Sequence, residues 1–240
     1  MTDPILRTEG LTKNFDGVVA TNDVSISVPR GELRCIIGPN GAGKSTLFSL
    51  LCGMHRADAG RVLLKGEDVT RLLAFRRVRR GIGLTFQTNR AFHRLSVRQN
   101  LNAVLQIMRA DRPADADERY RFALDRFGLD PNSEMLAKEL PHHRLQWLEI
   151  AMVLAAGPDV ILLDEPTAGM SSDETLQTGT VLKHLNSSGL TIVVVEHDVA
   201  FVRDVAQRIT VMHQGRVFAE GTVDEITGHA DVRRIYLGQA

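Results

Sequence analysis

Two short segments carry residues whose types and spacing suit a phosphate. Gly38-Pro39-Asn40-Gly41-Ala42-Gly43-Lys44-Ser45 fits the pattern G-x-x-x-x-G-K-[ST], with Thr46 next in line. It follows the apolar run ending at Ile37 and precedes the helical run from Thr46 to Leu51, the strand–loop–helix setting a phosphate loop needs. Glycines let backbone N–H groups turn inward around phosphate oxygens, and the helix N-terminus adds partial positive charge. Lys44 would reach the β and γ phosphates of a nucleoside triphosphate, and Ser45 would hold Mg²⁺. The second segment, Val160-Ile-Leu-Leu-Asp164-Glu165, ends an apolar run with two carboxylates, at the sheet edge where ligands collect in open α/β folds. Asp164 is expected in the Mg²⁺ shell, and Glu165 is placed to orient or deprotonate an attacking water.

A third strand end carries Glu196-His197-Asp198 after Thr191 to Val195. A neutral imidazole at His197 could donate one hydrogen bond to the γ-phosphate while its other nitrogen is oriented by a carboxylate or backbone group. Gln87 closes the run Ile82 to Phe86, where an amide could sense Mg²⁺ or water and pass that state to neighbouring helices.

The elements that must position these groups read as alternating strands and helices. Val24 to Val28, Arg34 to Ile37, Ile82 to Phe86, Val160 to Leu163 and Thr191 to Val195 have strand character. The last two are continuously apolar, as parallel strands buried on both faces are. A doubly wound α/β core follows, built from residues 1–87 and 158–240. Between Gln87 and Pro158 strand signals vanish. Val97-Leu101-Val104-Leu105-Met108 and Tyr120-Ala123-Leu124-Phe127 have helical spacing, so residues 88–157 read as an inserted helical subdomain within one 240-residue domain.

Composition narrows the setting. Lys plus Arg and Asp plus Glu are both 29, which leaves no net field toward nucleic acid or anionic lipid. The arginines at 71, 76, 77, 79 and 80 lack interleaved aromatics beyond Phe75 and read as a solvated helical face. Cys35 and Cys52 sit among apolar residues without metal-ligand spacing, which suggests buried thiols in a reducing compartment. His142 and His143 are adjacent rather than at metal-ligand spacing, and Trp147 is expected to pack beneath their helix. No apolar stretch approaches the roughly 18 residues that span a bilayer, and Met-Thr-Asp-Pro is not signal-peptide-like. A membrane role would need another subunit to cross.

In this order, the phosphate loop, Gln87, Asp164-Glu165 and His197 resemble the ATP-binding cassette of ABC transporters, over essentially the whole chain. The resemblance implies a P-loop NTPase fold with an N-terminal antiparallel β region, ATP and Mg²⁺ as ligands, and adenine stacked on Phe15. Leu84-Thr-Phe-Gln-Thr-Asn-Arg-Ala-Phe, Leu95-Ser-Val-Arg-Gln-Asn-Leu, Val195-Glu-His-Asp-Val-Ala-Phe-Val and Tyr236-Leu-Gly are similar to importer cassettes for branched-chain amino acids, urea and short amides. Gln146-Trp-Leu-Glu-Ile and Gln214-Gly-Arg-Val-Phe-Ala-Glu-Gly lean toward the urea type. The implied partners are transmembrane permease subunits, a second cassette and, indirectly, a solute-binding protein, at the cytoplasmic face of the inner membrane. Gln87 to Leu95 would face the permease.

Two departures from the family pattern stand out. The signature, usually Leu-Ser-Gly-Gly-Gln or Leu-Ser-His-Gly in this branch, reads Leu140-Pro141-His142-His143. Ser171 replaces the loop aspartate after the acidic strand. In the family the signature serine and glycines contact the γ-phosphate held by the opposite cassette, so the altered segment implies either a non-identical partner with an intact signature, the preferred reading, or substitute donors from a protonated His142 or His143. The rival classes, DNA-repair or chromosome ATPases and tandem-cassette translation factors of the same superfamily, would need a coiled-coil or zinc insertion, or a second phosphate loop. An exporter cassette is a further alternative.

Overall fold

The computed structural model describes residues 4–85, 90–106 and 112–237. Its centre is a six-stranded sheet. Five strands run parallel: β4 (Leu33–Ile37), β7 (Ile82–Leu84), β8 (Val160–Asp164), β9 (Thr191–Val195) and β10 (Arg208–His213). The sixth, β11 (Arg216–Gly221), pairs antiparallel with β10, giving the order β11-β10-β4-β9-β8-β7. A second, antiparallel sheet gathers β1 (Pro4–Phe15), β2 (Val18–Val24), β3 (Ser27–Pro29), β5 (Ala59–Leu64) and β6 (Glu67–Asp68).

The pleat of the central strands builds two cores. Cys35, Ile161, Leu163, Ile192 and Val194 face one layer, with Leu148, Ile150 and Leu182 from the helices α5 (His142–Ala155) and α6 (Ser172–Ser187). Ile36, Leu162, Val193 and Val195 face the other, against Leu47, Phe48 and Leu51 of α1 (Lys44–Cys52) and the antiparallel sheet. Side chains that alternate along a strand thus all find apolar cover, the reason Val160 to Leu163 and Ile192 to Val195 are unbroken apolar runs. Cys35 and Cys52 are buried free thiols, one in each core, and burial raises the pKa of both.

Between β7 and β8 the described residues form α2's successors α3 (Val97–Leu105), α4 (Ala116–Arg126) and α5, while α2 itself (Ala74–Val78) precedes β7. Ser96 caps α3 in a reciprocal box with Gln99. Trp147 is buried on α5, stacked at 5.0 Å on Phe127. The C-terminal part adds α7 (Val199–Val205), α8 (Val223–Gly228) and α9 (Ala230–Val232). Among the described residues no helix is long and apolar enough to cross a membrane.

Two expectations need correction. Val24 to Val28 is not one strand: β2 ends at Val24 and β3 begins at Ser27. The break comes from side chains that take over the ladder. Thr8 Oγ1 accepts the Ile26 N–H at 3.0 Å and donates to the Val24 carbonyl, and Ser25 Oγ accepts the Gly10 N–H. The arginine run is not wholly a solvated face either. Arg77 is 1% exposed and donates to the carbonyls of Leu50, Leu51, Thr70 and Leu72. It therefore satisfies orphan carbonyls at the end of α1, opposite the phosphate loop, and its charge suits that negative helix end. Burial lowers its pKa to about 10, so it stays protonated at neutral pH.

Arg77→Met keeps the stem but removes this donor from four carbonyls, those of Leu50 and Leu51 buried and those of Thr70 and Leu72 partly so. Unfolding in urea is expected to show a loss of about 2–4 kcal/mol. A change within 0.5 kcal/mol would mean that water or another donor serves those carbonyls equally well.

Candidate functional site

The parallel register brings three strand ends to one edge. β9 lies between β4 and β8, with Ile36 beside Val195 and Asp164 beside Val195 on the other flank. The loop after β4, the carboxylates ending β8 and the histidine after β9 must therefore meet.

Gly38 to Gly43 wraps the N-terminus of α1. A Cβ on Gly38 would lie 2.2 Å from the Met212 carbonyl oxygen, and one on Gly43, whose φ is +97°, would lie 2.3 Å from the Ala20 carbonyl oxygen. Both positions demand glycine because β10 and β2 press the loop from behind. Gly215 N–H donates to the Ala42 carbonyl and completes that backing. Lys44 opens α1. Its ammonium is largely buried and caps two carbonyls of its own loop, Gly38 at 2.7 Å and Pro39 at 3.1 Å. Burial lowers the Lys44 pKa, while Glu165 and Asp164 act the other way. Ser45 and Thr46 follow in the first turn of α1. Pro39, Asn40 and Gly41 form the partly exposed lip of the loop.

Opposite Lys44, burial raises the Asp164 carboxyl to about 6, with Glu165 and Glu196 raising it further and Lys44 lowering it. Glu165 holds a left-handed backbone, φ +49°, ahead of Pro166, and its N–H donates to the Val195 carbonyl at 2.9 Å. A non-glycine residue in that region is a strained one, kept by its surroundings. His197 presents a side chain 62% exposed, with Nδ1 3.8 Å from Glu165 Oε1 and 3.7 Å from Glu196 Oε2.

Glu196 is the residue that motif reading passed over. Only 1% exposed, it accepts from Thr167 N–H at 3.2 Å and Thr167 O–H at 2.5 Å on one oxygen, and from His197 N–H at 2.9 Å on the other. One buried carboxylate thus ties the turn after Glu165 to the backbone of His197. Asp198 then caps α7 by accepting from Ala200 and Phe201 N–H. The clue in the sequence was an acid placed directly after five apolar residues.

Other predicted residues lie around this cluster. Phe15 ends β1 with an exposed ring face, edge-on to His55 at 5.3 Å and 5.2 Å from the Lys13 ammonium. Leu140 to His143 enters α5, with Pro141 at its N-cap and no side-chain cap bond. His143 is held by Glu174 and Trp147 rather than by the phosphate-loop cluster. Gln87 lies outside the described residues.

The donor set suits Mg²⁺. Ser45 hydroxyl and Asp164 carboxylate are hard oxygen ligands, and Asp164 carries a raised pKa among neighbouring carboxylates that an added cation would relieve.

A glycine cradle and lysine facing two strand-end carboxylates define a P-loop nucleoside triphosphatase. The ABC transporter family matches residues 21–168, and the chain belongs to it as an ATP-binding subunit that couples ATP hydrolysis to transport. The lipopolysaccharide export system ATP-binding protein LptB of Escherichia coli K12 is 37% identical over 235 residues, 98% of this chain and 97% of LptB. The high-affinity branched-chain amino acid transport ATP-binding protein LivG of Salmonella typhimurium LT2 is 34% identical over 255 residues, covering both chains completely. The structure of MJ1267 in its ADP conformation, an ATP-binding cassette of an ABC transporter, superposes with a TM-score of 0.84 at 30% identity, covering 99% of this chain and 100% of that one.

The raised Asp164 pKa has a consequence for stability without nucleotide. Between 3.8 and about 6 the folded protein holds a proton that the unfolded chain has released, so Asp164 makes stability fall as pH rises through that window. Asp164→Asn is expected to raise Tm at pH 7 relative to the native sequence and to leave it unchanged near pH 3.5. An equal difference at both pH values in differential scanning calorimetry would refute the origin in ionisation.

Proposed function

We propose that this chain powers an importer for branched-chain amino acids, urea or short amides. On this reading it docks on transmembrane subunits at the cytoplasmic face, with a solute-binding protein delivering the solute. The observation that carries the hydrolytic part is the convergence of Lys44, Asp164, Glu165 and His197 at one sheet edge. The importer part draws on full-length similarity to LivG and on the importer-like segments around residues 84–101 and 195–202. The 37% identity to LptB favours a second reading, an export cassette. Uptake of labelled leucine or urea into proteoliposomes carrying the co-purified membrane subunits supports import; ATP-dependent extraction of lipopolysaccharide from the bilayer would replace it with export.

In the mechanism that follows, Lys44 exchanges its two loop carbonyls for the β and γ phosphates, which are better partners for a desolvated ammonium. Ser45 and Asp164 would hold Mg²⁺, which would supply charge neutralisation at the phosphate oxygens. Phe15 stacks on adenine. Glu165 accepts a proton from the water whose oxygen bonds to the γ-phosphorus as the bond to the β–γ bridging oxygen breaks. His197 donates to the γ-phosphate, its ring turned by the Glu165 and Glu196 carboxylates beside Nδ1. By the family resemblance Gln87 would sense Mg²⁺ or water, and exposed Phe92 belongs to the surface that meets the permease.

Lys44→Ala is expected to weaken ATP binding about 10- to 150-fold by calorimetry. Glu165→Gln should keep nucleotide binding and abolish turnover, because the amide cannot accept the proton. Hydrolysis at the native rate in that variant would place the base elsewhere.

The partner cassette is read as non-identical. Pro141 offers neither hydroxyl nor N–H to a phosphate on the facing subunit, so two copies of this chain would form two weakened sites. The isolated chain should therefore hydrolyse ATP slowly, and Pro141→Ser should raise that rate about tenfold. Brisk turnover by the chain alone, with no gain on adding the serine, would remove the asymmetric pair.

A further inference from the structure

His143 stands where related cassettes have the signature glycine, yet its ring is turned back into its own chain. Its Nδ1 lies 2.6 Å from Glu174 Oε1, and the ring meets Trp147 edge-on at 4.8 Å. Both partners are three-quarters buried, which shields the contact from solvent. The other oxygen of Glu174 accepts Ser171 N–H at 2.8 Å, closing the capping box that begins α6. One turn further along each helix, Trp147 Nε1–H donates to Thr178 Oγ1 at 2.9 Å, and Thr178 O–H donates to the Glu174 carbonyl. His143 and Trp147 are four residues apart, as are Glu174 and Thr178, so the two contacts form successive rungs between facing helix sides.

The lower rung leads straight to the acidic strand. Six residues, 166–171, separate Glu165 from α6. They are pinned in turn by Thr167 on Glu196 and by Ala168 N–H on the Glu165 carbonyl. Tight contacts therefore run without interruption from the head of α5 to Glu165.

We propose that His143 is a positioning residue: it ties the altered signature to the segment bearing Glu165, so that both shift as one piece. This rests on the proposed reading, in which Glu165 acts on the chain's own ATP while Leu140 to His143 faces the partner's. A histidine that had merely displaced a glycine would leave its ring without a carboxylate partner and Glu174 with only its capping role. The substitution supplies a mechanical link between the two ATP sites.

The test is steady-state ATPase of the full chain. His143→Gly, which restores the family residue, is expected to lower kcat about tenfold at unchanged KM for ATP, within the usual range of coupling between sites. Glu174→Gln keeps an acceptor for Ser171 N–H and should lower kcat similarly, even where the glycine variant loses stability. The double variant should fall no further than either single one. His143→Gln, which retains an N–H toward Glu174, should recover most of the rate, an outcome that a purely structural loss would not produce. Unchanged or faster turnover in His143→Gly, or multiplicative losses in the double variant, would overturn the link alone. Absence of Lys44-dependent hydrolysis in the unsubstituted chain would overturn the functional reading and the link with it.

Discussion

Three carboxylates and one ammonium share the carboxyl edge of β8, β9 and β4, and the register of those parallel strands leaves them no other place. Asp164, Glu165 and Glu196 follow strands flanked by apolar cores, so their charges are poorly solvated. The site resolves this unevenly. Glu196 takes up its charge in hydrogen bonds from Thr167 and His197 and serves as an anchor. Asp164 is left with a raised pKa, and Lys44 with a lowered one. Both shifts come first from burial, which the attraction between Lys44 and the Asp164 and Glu165 carboxylates only partly offsets. A phosphate chain with its divalent ion would offer Lys44 an anion and Asp164 a cation.

What the sequence made legible follows the same division. Val160 to Leu163 and Thr191 to Val195 stood out because strands buried on both faces need unbroken apolar runs. The phosphate loop stood out because close approach to Met212 and Ala20 admits only glycine at two of its positions. β1, β5 and β11 were harder to find, since half of each strand faces solvent and their residues alternate with polar ones. Val24 to Val28 misled because hydroxyls of Thr8 and Ser25 replace backbone partners there, a substitution invisible to periodicity. Arg77 was hidden inside a run of five arginines whose other members set the average. Its role depends on where α1 ends in space, and charge patterning holds no information about that.

The altered signature shows how function and stability separate at one position. Proline is tolerated at the N-cap because its missing N–H would have had no intrahelical partner, and Pro141 takes an extended backbone that suits this place. The helix it opens runs unbroken to Ala155 and buries Trp147, Leu148, Ile150 and Ala151. Ser171, likewise a departure from the family pattern, is a well-formed N-cap for α6. Neither change costs the fold its local logic. On the proposed reading the cost falls on the facing subunit, to whose phosphate Pro141 offers no hydroxyl. Intact packing of α5 and α6 fits the proposed pairing with a non-identical cassette better than it fits decay, which would loosen those helices along with the donor.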